Sequence, residues 1–193
     1  MVSKYDHCLV DLLYRRGTGE LQVDFPLVVS NHADLRDIAL RAGADFEHIP
    51  VTKATKPEAE ARLLELVESH NIDFVVLARY MQILSDDICT QLDGNIINIH
   101  HSFLPGFKGA KPYHQAWERG VKLIGATAHF VTADLDEGPI IAQDVAEVDH
   151  GDSADQMVVR GRDIERLVLS RAVKHAAEDR IFLLNNSRTV ILD

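Results

Sequence analysis

The sequence is poor in cysteine and contains no long hydrophobic run. Only two cysteines, Cys8 and Cys89, occur in 193 residues, and they stand far apart with no C-x-x-C spacing. This pattern argues against a disulfide framework or a thiolate zinc site and favours a reducing cytoplasm. No stretch approaches the roughly eighteen apolar residues of a membrane span, and the amino terminus has no signal-peptide pattern. We therefore expect a cytoplasmic protein without membrane contacts.

Basic residues are also scarce. The chain has 20 Lys and Arg against 30 Asp and Glu, a formal charge of −10, which is the wrong sign for binding nucleic acid. The phosphate-binding patterns G-x-x-x-x-G-K-[ST] and G-x-G-x-x-G are both absent. Apolar residues make up 46% of the chain, ample for one core. We predict a single domain over residues 1–193 and no nucleic-acid partner.

Apolar runs alternate with amphipathic patterns through the first hundred residues. This order predicts parallel strands joined by right-handed helical crossovers. Residues 1–3 resemble the tail of a strand whose beginning is absent. Further strands are expected at residues 23–30, 46–51 and 73–78, and helix N-caps at Asn31 and Ser85.

The second half follows a different order. Strand patterns at residues 123–131 and 140–148 are separated by too few residues for a helical crossover, which predicts an antiparallel pair. Ser153 followed by Gln156 predicts a capping box that opens a long helix. The predicted fold class is therefore α/β: a mostly parallel twisted sheet with helices on both faces and an antiparallel portion near the carboxy-terminal half.

One apolar run carries polar side chains in a strand pattern. Because side chains alternate across a strand, Asn98 and His100 fall on one face, and Ile97 and Ile99 on the other. A buried amide without a partner costs roughly 1–3 kcal/mol, so Asn98 needs one. Either Asn98 ties down a neighbouring loop and His100 is an ordinary strand-end histidine, or both face a ligand cleft at the carboxyl end of a parallel strand.

Three acids crowd one later loop, Asp134, Asp136 and Glu137. Repulsion between carboxylates that share a site raises the pKa of at least one, which can then act as a base. If this loop folds beside His100, the site holds an amide, an imidazole and a carboxylate, a general acid/base set with an oxyanion donor. The alternative is a solvated surface turn.

Two other chemistries have weaker support. A metal site would draw on five histidines in the same half of the chain, but none has H-E-x-x-H spacing and adjacent strand histidines point apart. These are His100, His101, His114, His129 and His150. Ser102 lacks the G-x-S-x-G context of a nucleophile. His129, on a predicted strand, is either a satisfied interior histidine or a support for the acidic loop.

Two motifs carry a family resemblance. Asn98-Ile-His-His-Ser-Phe-Leu-Pro105, with Leu135-Asp-Glu-Gly-Pro139 some thirty residues later, resembles the folate-dependent formyltransferase family. Residues 77–84, 109–115, 125–129 and 188–192 are similar to its deformylase branch. The resemblance implies a formyltransferase-like fold and hydrolysis of 10-formyltetrahydrofolate to formate and tetrahydrofolate, in one-carbon and purine metabolism. It implies no metal and no redox cofactor.

The resemblance also implies residue roles. Asn98, His100 and Asp136 correspond to the catalytic residues. The folate pocket would be lined by Met81, Gln82, Ile83, Leu84, Thr132, Ala133 and Asp134. Such enzymes usually carry an amino-terminal ACT domain, of which this sequence has nothing, and we expect a homo-oligomer.

Two alternatives stay open. One is glycinamide ribonucleotide formyltransferase, although its first turn is rich in Gly, Ser and Asn and residues 3–8 are not. The other is a folate-binding protein without turnover.

Overall fold

The structure is a computed structural model that describes residues 1–106, 111–184 and 188–192. The predicted segment at residues 109–115 lies partly outside this range. The helices are α1 (His7–Thr18), α2 (Arg36–Arg41), α3 (Lys56–Ser69), α4 (Asp86–Gln91), α5 (Pro112–Arg119) and α6 (Ala154–Ala177). The strands are β1 (Leu27–Ser30), β2 (Asp45–His48), β3 (Val75–Leu77), β4 (Ile96–His100), β5 (Leu123–Phe130), β6 (Ile140–Glu147), β7 (Ile181–Leu184) and β8 (Arg188–Ile191).

Parallel pairing organises the amino-terminal half. β1 pairs with β2 and β3 pairs with β4, both in parallel. Residues 1–3 lie between β1 and β3, where Val2 forms a parallel bridge to Ser30 and the Met1 nitrogen donates to the Val76 carbonyl at 2.6 Å. The predicted helical crossovers and the strand-like character of residues 1–3 are thus confirmed.

Antiparallel pairing organises the carboxy-terminal half. β5 pairs with both β4 and β6, and β7 pairs with β8. The sheet β3-β4-β5-β6 is therefore mixed, as the short connection between β5 and β6 predicted. β4 is the strand at which the parallel and antiparallel halves meet.

Helices cover both faces of this sheet. On one face Ile97 and Ile99 of β4 join a large apolar cluster with residues of α1 and α6. On the other face Ile96 packs with Val75 and with Ile88 of α4. Burying each of these side chains contributes about 1.5–3 kcal/mol, so the alternation of β4 is fixed by two cores at once.

Two of the three predicted helix caps form. Ser85 accepts a hydrogen bond from the Ile88 N–H, and Ser153 with Gln156 makes a reciprocal capping box. The N-cap predicted at Asn31 is wrong, because α2 begins five residues later and the Asn31 Oδ1 instead accepts from the Ser3 hydroxyl at 2.6 Å. The side-chain oxygen that would cap the helix is therefore used by Ser3, a residue distant in sequence.

β1 is shorter than predicted and begins after Pro26, a residue that has no N–H to donate to a ladder. Among the described residues, no helix combines the length and the apolar run that a bilayer crossing requires.

Candidate active site

The predicted residues of β4 meet two loops at one edge of the sheet. Asn98 lies opposite His129 of β5, and His100 lies opposite Thr127. The loop that follows β3 runs beside the carboxyl end of β4, because these two strands are parallel. The loop between β5 and β6 begins beside the amino end of β4, where the Val131 N–H donates to the Ile96 carbonyl, and it extends back far enough for Asp136 to reach His100. Polar side chains from three chain segments thus converge here.

His100 and Asp136 form a direct contact. The His100 Nδ1 lies 3.2 Å from the Asp136 Oδ1, and the two side chains are only 6% and 8% exposed. Asp136 has a left-handed backbone with φ of 58°, a conformation uncommon for residues other than glycine. The other ring nitrogen, His100 Nε2, is buried without a hydrogen-bond partner among the described residues. Among the described contacts, that nitrogen keeps an unused hydrogen-bonding position.

Asn98 has its partner in His129. The Asn98 Nδ2 lies 3.1 Å from the His129 Nε2, while the His129 Nδ1 lies 2.8 Å from the Phe130 carbonyl. A carbonyl only accepts, so Nδ1 carries the hydrogen and Nε2 accepts from the Asn98 amide. Burial lowers the pKa of His129, which keeps the ring neutral and the amide oriented. A register irregularity between Ala128 and His129 lies at this point of β5.

The acidic loop behaves differently from the expectation. Burial by itself raises the pKa of Asp136, but the hydrogen bond and charge of His100 outweigh it and hold that pKa below its ordinary value. Asp134 and Glu137 are exposed to solvent and do not share the site with Asp136. The prediction that crowding raises the pKa of the loop acid is wrong for Asp136, which is a carboxylate at neutral pH.

Gly138 brings the acidic loop against β5. A Cβ at this position would lie 1.8 Å from the Phe130 carbonyl oxygen and 3.3 Å from the His129 Nδ1. Real Cβ atoms do not approach backbone oxygens so closely, so only glycine fits here. The same carbonyl therefore fixes both the tautomer of His129 and the passage of the loop that carries Asp136.

The residues predicted to line a folate pocket lie in the two neighbouring loops. Met81 and Ile83 are 49% and 62% exposed, whereas Leu84 is buried in an apolar cluster against which Val131 also packs. Gln82 and Ile83 border a small cavity with Leu84. The hydroxyl of Thr132 donates to the Asp134 carbonyl at 3.1 Å, and Ala133 and Asp134 are exposed. Asn98, His100 and Asp136 do not line that cavity, so one folate pocket formed by both loops stays a prediction.

Sequence reasoning missed a second buried polar group, which we call the Glu165 cluster and which consists of Glu165, His7, Arg79 and Tyr113. Glu165 is 1% exposed and accepts from the His7 Nε2 at 2.7 Å and the Tyr113 hydroxyl at 2.8 Å. The Arg79 Nη1 lies 3.3 Å from its Oε2. Burial by itself raises the pKa of Glu165, but the His7 hydrogen bond and the Arg79 charge outweigh this effect and hold that pKa below its ordinary value. The sequence offered one signal of this cluster, because Glu165 is an acid among the apolar residues that α6 buries.

A metal or a serine nucleophile finds little support in these contacts. His7, Cys8 and Glu165 bring three potential ligand atoms within 4.8 Å of one another. The Glu165 oxygens are already engaged by Tyr113, His7 and the Arg79 cation, and burial raises the pKa of the Cys8 thiol well above its ordinary value. The Ser102 hydroxyl donates to the Gly106 carbonyl at 2.7 Å, a structural contact within its loop.

Known proteins share this fold and sequence. The family described as Formyl transferase matches residues 1–173. The formyltetrahydrofolate deformylase of Corynebacterium sp. (strain P-1) is 58% identical over 192 residues, which cover 100% of this chain and 67% of that protein. The enzyme of the same name from Escherichia coli (strain K12) is 47% identical, with 100% and 68% covered. The chain spans about two-thirds of the length of these relatives.

Solved structures agree. The crystal structure of formyltetrahydrofolate deformylase from Burkholderia mallei ATCC 23344 matches with a TM-score of 0.95 and 55% identity, covering 100% of this chain and 68% of that one. A glycinamide ribonucleotide transformylase 1 from Symbiobacterium toebii matches with a TM-score of 0.91 and 33% identity, covering 100% and 92%. The formyltransferase-like α/β fold is thus confirmed, and the chain belongs to the formyl transferase family, within which its sequence groups with the formyltetrahydrofolate deformylases.

Proposed function

We propose that this chain hydrolyses 10-formyltetrahydrofolate to formate and tetrahydrofolate, a reaction of one-carbon and purine metabolism. The observation that carries the proposal is the convergence of Asn98, His100 and Asp136 at one sheet edge, with a buried imidazole nitrogen that has no hydrogen-bond partner in the described part of the chain. The names of the relatives that cover the whole chain support the choice of substrate. The acceptor of the formyl group is then water.

The geometry suggests a role for each group. Asp136 is ionised, so it accepts a proton from the water that attacks the formyl carbon, directly or through a second water. The carbonyl oxygen becomes an oxyanion, which takes hydrogen bonds from the Asn98 amide and from the protonated His100 Nε2. His100 then gives its proton to the 10-nitrogen, and the carbon–nitrogen bond breaks as the oxyanion re-forms the carbonyl. The products are an uncharged amine and formic acid, which ionises to formate and a proton, and the proton held by Asp136 returns to His100.

The surroundings suit a folate. Met81 and Ile83 are exposed apolar side chains in the loop after β3, the strand that pairs with β4, and they can cover the ring system, while Thr132, Ala133 and Asp134 can offer backbone groups to its polar edge. We propose that no metal or redox cofactor takes part, because the carboxylate, amide and imidazole together supply the proton transfers and the charge stabilisation.

The remaining expectations extend the proposal. Residues 1–193 form one catalytic domain, and the two buried, unpaired cysteines suit the reducing cytoplasm. We also propose a homo-oligomer, because the β7–β8 hairpin exposes apolar side chains that another copy can cover. These are Phe182, Leu183, Leu184 and Val190.

Formate release by the wild-type chain and by Asp136→Asn tests the proposal. The substitution keeps the shape of the side chain but removes the base, so we expect kcat to fall by roughly 10²–10⁴ while folate affinity changes only a few-fold. Glu137→Gln, an exposed acid-to-amide change in the same loop, is the matched control and should keep its turnover. Unchanged turnover in Asp136→Asn would reject the role of this residue.

A second candidate is transfer of the formyl group to glycinamide ribonucleotide. The likeness to the Symbiobacterium toebii transformylase favours it, because the two chains share a fold at 33% identity. Formate release with no acceptor present supports hydrolysis, whereas strict dependence on an amino ribonucleotide supports transfer. Tight folate binding without formate above background would instead identify a binding protein.

A further inference from the structure

The order of the parallel strands creates a crevice next to residues 1–3. The chain runs from these residues to β1 and β2 on one side, and then crosses to β3 and β4 on the other. The winding therefore reverses between residues 1–3 and β3, and open α/β sheets bind ligands outside the carboxyl ends of the strands at such a point. We call this place the switch-point crevice. It lies between residues 4–6, which lead into α1, and residues 78–85, which follow β3.

The start of α1 gives this crevice the geometry of an anion site. α1 begins at His7 and runs for 12 residues, and the Asp6 side chain before it makes no capping hydrogen bond in the described part of the chain. The first N–H groups of a helix lack partners within it and carry partial positive charge, so phosphates bind there in many α/β proteins. A ligand that carries a phosphate would by this rule place it in the switch-point crevice.

The protein holds a carboxylate of its own at this position. Glu165 reaches from α6 to the first turn of α1, where it accepts from the His7 Nε2 at 2.7 Å. The Cys8 Sγ lies within 4.8 Å of both side chains. From the other side of the crevice, the Arg79 Nη1 lies 3.3 Å from the same Glu165 oxygen, Oε2. An internal anion thus lies where a helix start and a cation favour one.

The crevice is closed as well as occupied. The Tyr5 ring covers Arg79, with 4.9 Å from the guanidinium carbon to the ring centroid. The Ser3 hydroxyl accepts from the Met81 N–H at 3.0 Å and joins the two loops. The Arg79 side chain is 8% exposed, and its Nε and Nη1 are buried without a hydrogen-bond partner among the described residues. Because protein atoms cover these donors, a ligand reaches them only if Glu165 or Tyr5 moves.

The switch-point crevice adjoins the proposed active site. The ring of Tyr113, whose hydroxyl donates to Glu165 at 2.8 Å, meets the edge of His101 with 6.1 Å between centroids. His101 lies beside His100, with 5.3 Å between their ring centroids. Burial lowers the pKa of His101 to about 3, so this ring carries no charge that could attract an anion at neutral pH. A phosphate beside α1 would therefore be two ring contacts from His100.

Tyr113 cannot easily move aside to open the crevice. A Cβ built on Gly161, one helical turn before Glu165, would overlap the ring and the hydroxyl of Tyr113. The ring is consequently held between the backbone of α6 and the carboxylate of Glu165. Opening the crevice would require the whole Glu165 cluster to rearrange.

We propose that Glu165 is a specificity-determining residue: its buried carboxylate takes the position that the phosphate of an amino ribonucleotide would need, so that water is the only acceptor of the formyl group. The inference rests on the proposed function. A second anion in the crevice would meet both a filled space and a like charge, and such features reject a competing ligand. A chain that shares its fold with a glycinamide ribonucleotide transformylase would in this way hydrolyse rather than transfer.

The wild-type protein tests the exclusion directly. Formate release is measured with and without glycinamide ribonucleotide, and the melting temperature is measured in inorganic phosphate and in chloride at equal ionic strength. We expect the ribonucleotide to leave the rate unchanged and to remain unformylated, and phosphate to raise the melting temperature no more than chloride does. Competitive inhibition by the ribonucleotide, or formyl transfer to it, would overturn the proposal.

Glu165→Ala opens the position for an external anion. The substitution leaves Arg79 facing a space of about carboxylate size, so we expect the affinity for inorganic phosphate to rise about tenfold or more over wild type. Calorimetric titration at constant ionic strength measures it. Glu178→Ala is the matched control, because this exposed glutamate also pairs with basic side chains, Lys174 and Arg180, but closes no crevice. A folded Glu165→Ala protein without the gain would contradict the proposal.

A double variant assigns the bound phosphate to the crevice. Adding Arg79→Met to Glu165→Ala should remove the gain, and a gain that persists would place the phosphate elsewhere and overturn the assignment. If Glu165→Ala does not fold, the wild-type response to glycinamide ribonucleotide decides alone. Failure of formate release by wild type would reject the proposed function, whereas the phosphate titrations do not depend on turnover and report on Glu165 separately.

Discussion

Two buried carboxylates in this molecule look alike by burial and charge but differ in what surrounds them. Asp136 and Glu165 both contact histidines, and both keep a pKa below the ordinary value although burial opposes ionisation. Glu165 has three partners distributed over its two oxygens. Within residues 1–106, 111–184 and 188–192, Asp136 makes one contact at 3.2 Å and has a second imidazole at 3.9 Å, both on Oδ1.

The difference lies in unused hydrogen-bonding capacity. Glu165 extends from the middle of a long helix into a saturated environment, whereas Asp136 comes from a left-handed loop position at a sheet edge. A saturated carboxylate stabilises the fold, and one with a free oxygen can still take a proton from water. Burial and a lowered pKa alone do not distinguish these two roles.

The largest expected effect belongs to the saturated carboxylate. Glu165→Ala leaves the buried Arg79 without its counter-charge, so the free energy of unfolding should fall by about 3–5 kcal/mol. Urea denaturation measures this loss. Glu178→Ala, at an exposed glutamate that also pairs with basic side chains, should cost less than about 1 kcal/mol. Equal losses in the two variants would contradict the saturated role of Glu165.

A smaller effect is expected from a substitution in the proposed active site, where Asp136 keeps unused hydrogen-bonding capacity. Asn98→Ala removes the proposed oxyanion donor, and we expect kcat to fall by roughly 10²–10³ with a small change in KM. Asn95→Ala, an exposed amide just before the same strand, should leave both constants close to wild type. Steady-state formate release provides the comparison. A loss that falls on KM alone would indicate that Asn98 binds substrate without acting on the transition state.

The last prediction, whose effect is small for each pH unit, requires only a change of pH. The folded-state pKa of His101 is about 3, below its unfolded value of about 6.5, so the unfolded chain binds more protons between these limits. Stability should thus fall on acidification by up to about 1.4 kcal/mol per pH unit. His129 acts in the same direction, and Asp136 and Glu165 join at lower pH. Urea titrations at several pH values would show the slope, which should shrink in His101→Gln.

Local patterns predicted most of the fold because they depend on residues close in sequence. The alternation in β4 placed Asn98 and His100 on one face, and the spacing of Ser153 and Gln156 gave the capping box. Asn31 failed for the opposite reason. Its oxygen bonds Ser3, a residue 28 positions away, and no local rule anticipates that contact.

The site was predictable in part for the same reason. Residue types and a family resemblance indicated Asn98, His100 and Asp136, and the structure brings them together. The direction of the Asp136 pKa was not predictable, because it depends on His100, 36 positions away, rather than on its acidic neighbours. Glu165 lies 158 positions from His7 and 52 from Tyr113, so its partners emerge only on folding.

Gly138 has a consequence for how this molecule should be engineered. It bears no functional group, yet any side chain there would collide with the carbonyl that orients His129 and would displace the turn bearing Asp136. A mutational scan scored by turnover alone would mark this position as if it took part in the chemistry. Only a parallel measurement of the amount of folded protein would show that Gly138 matters because it has no side chain to collide with the Phe130 carbonyl.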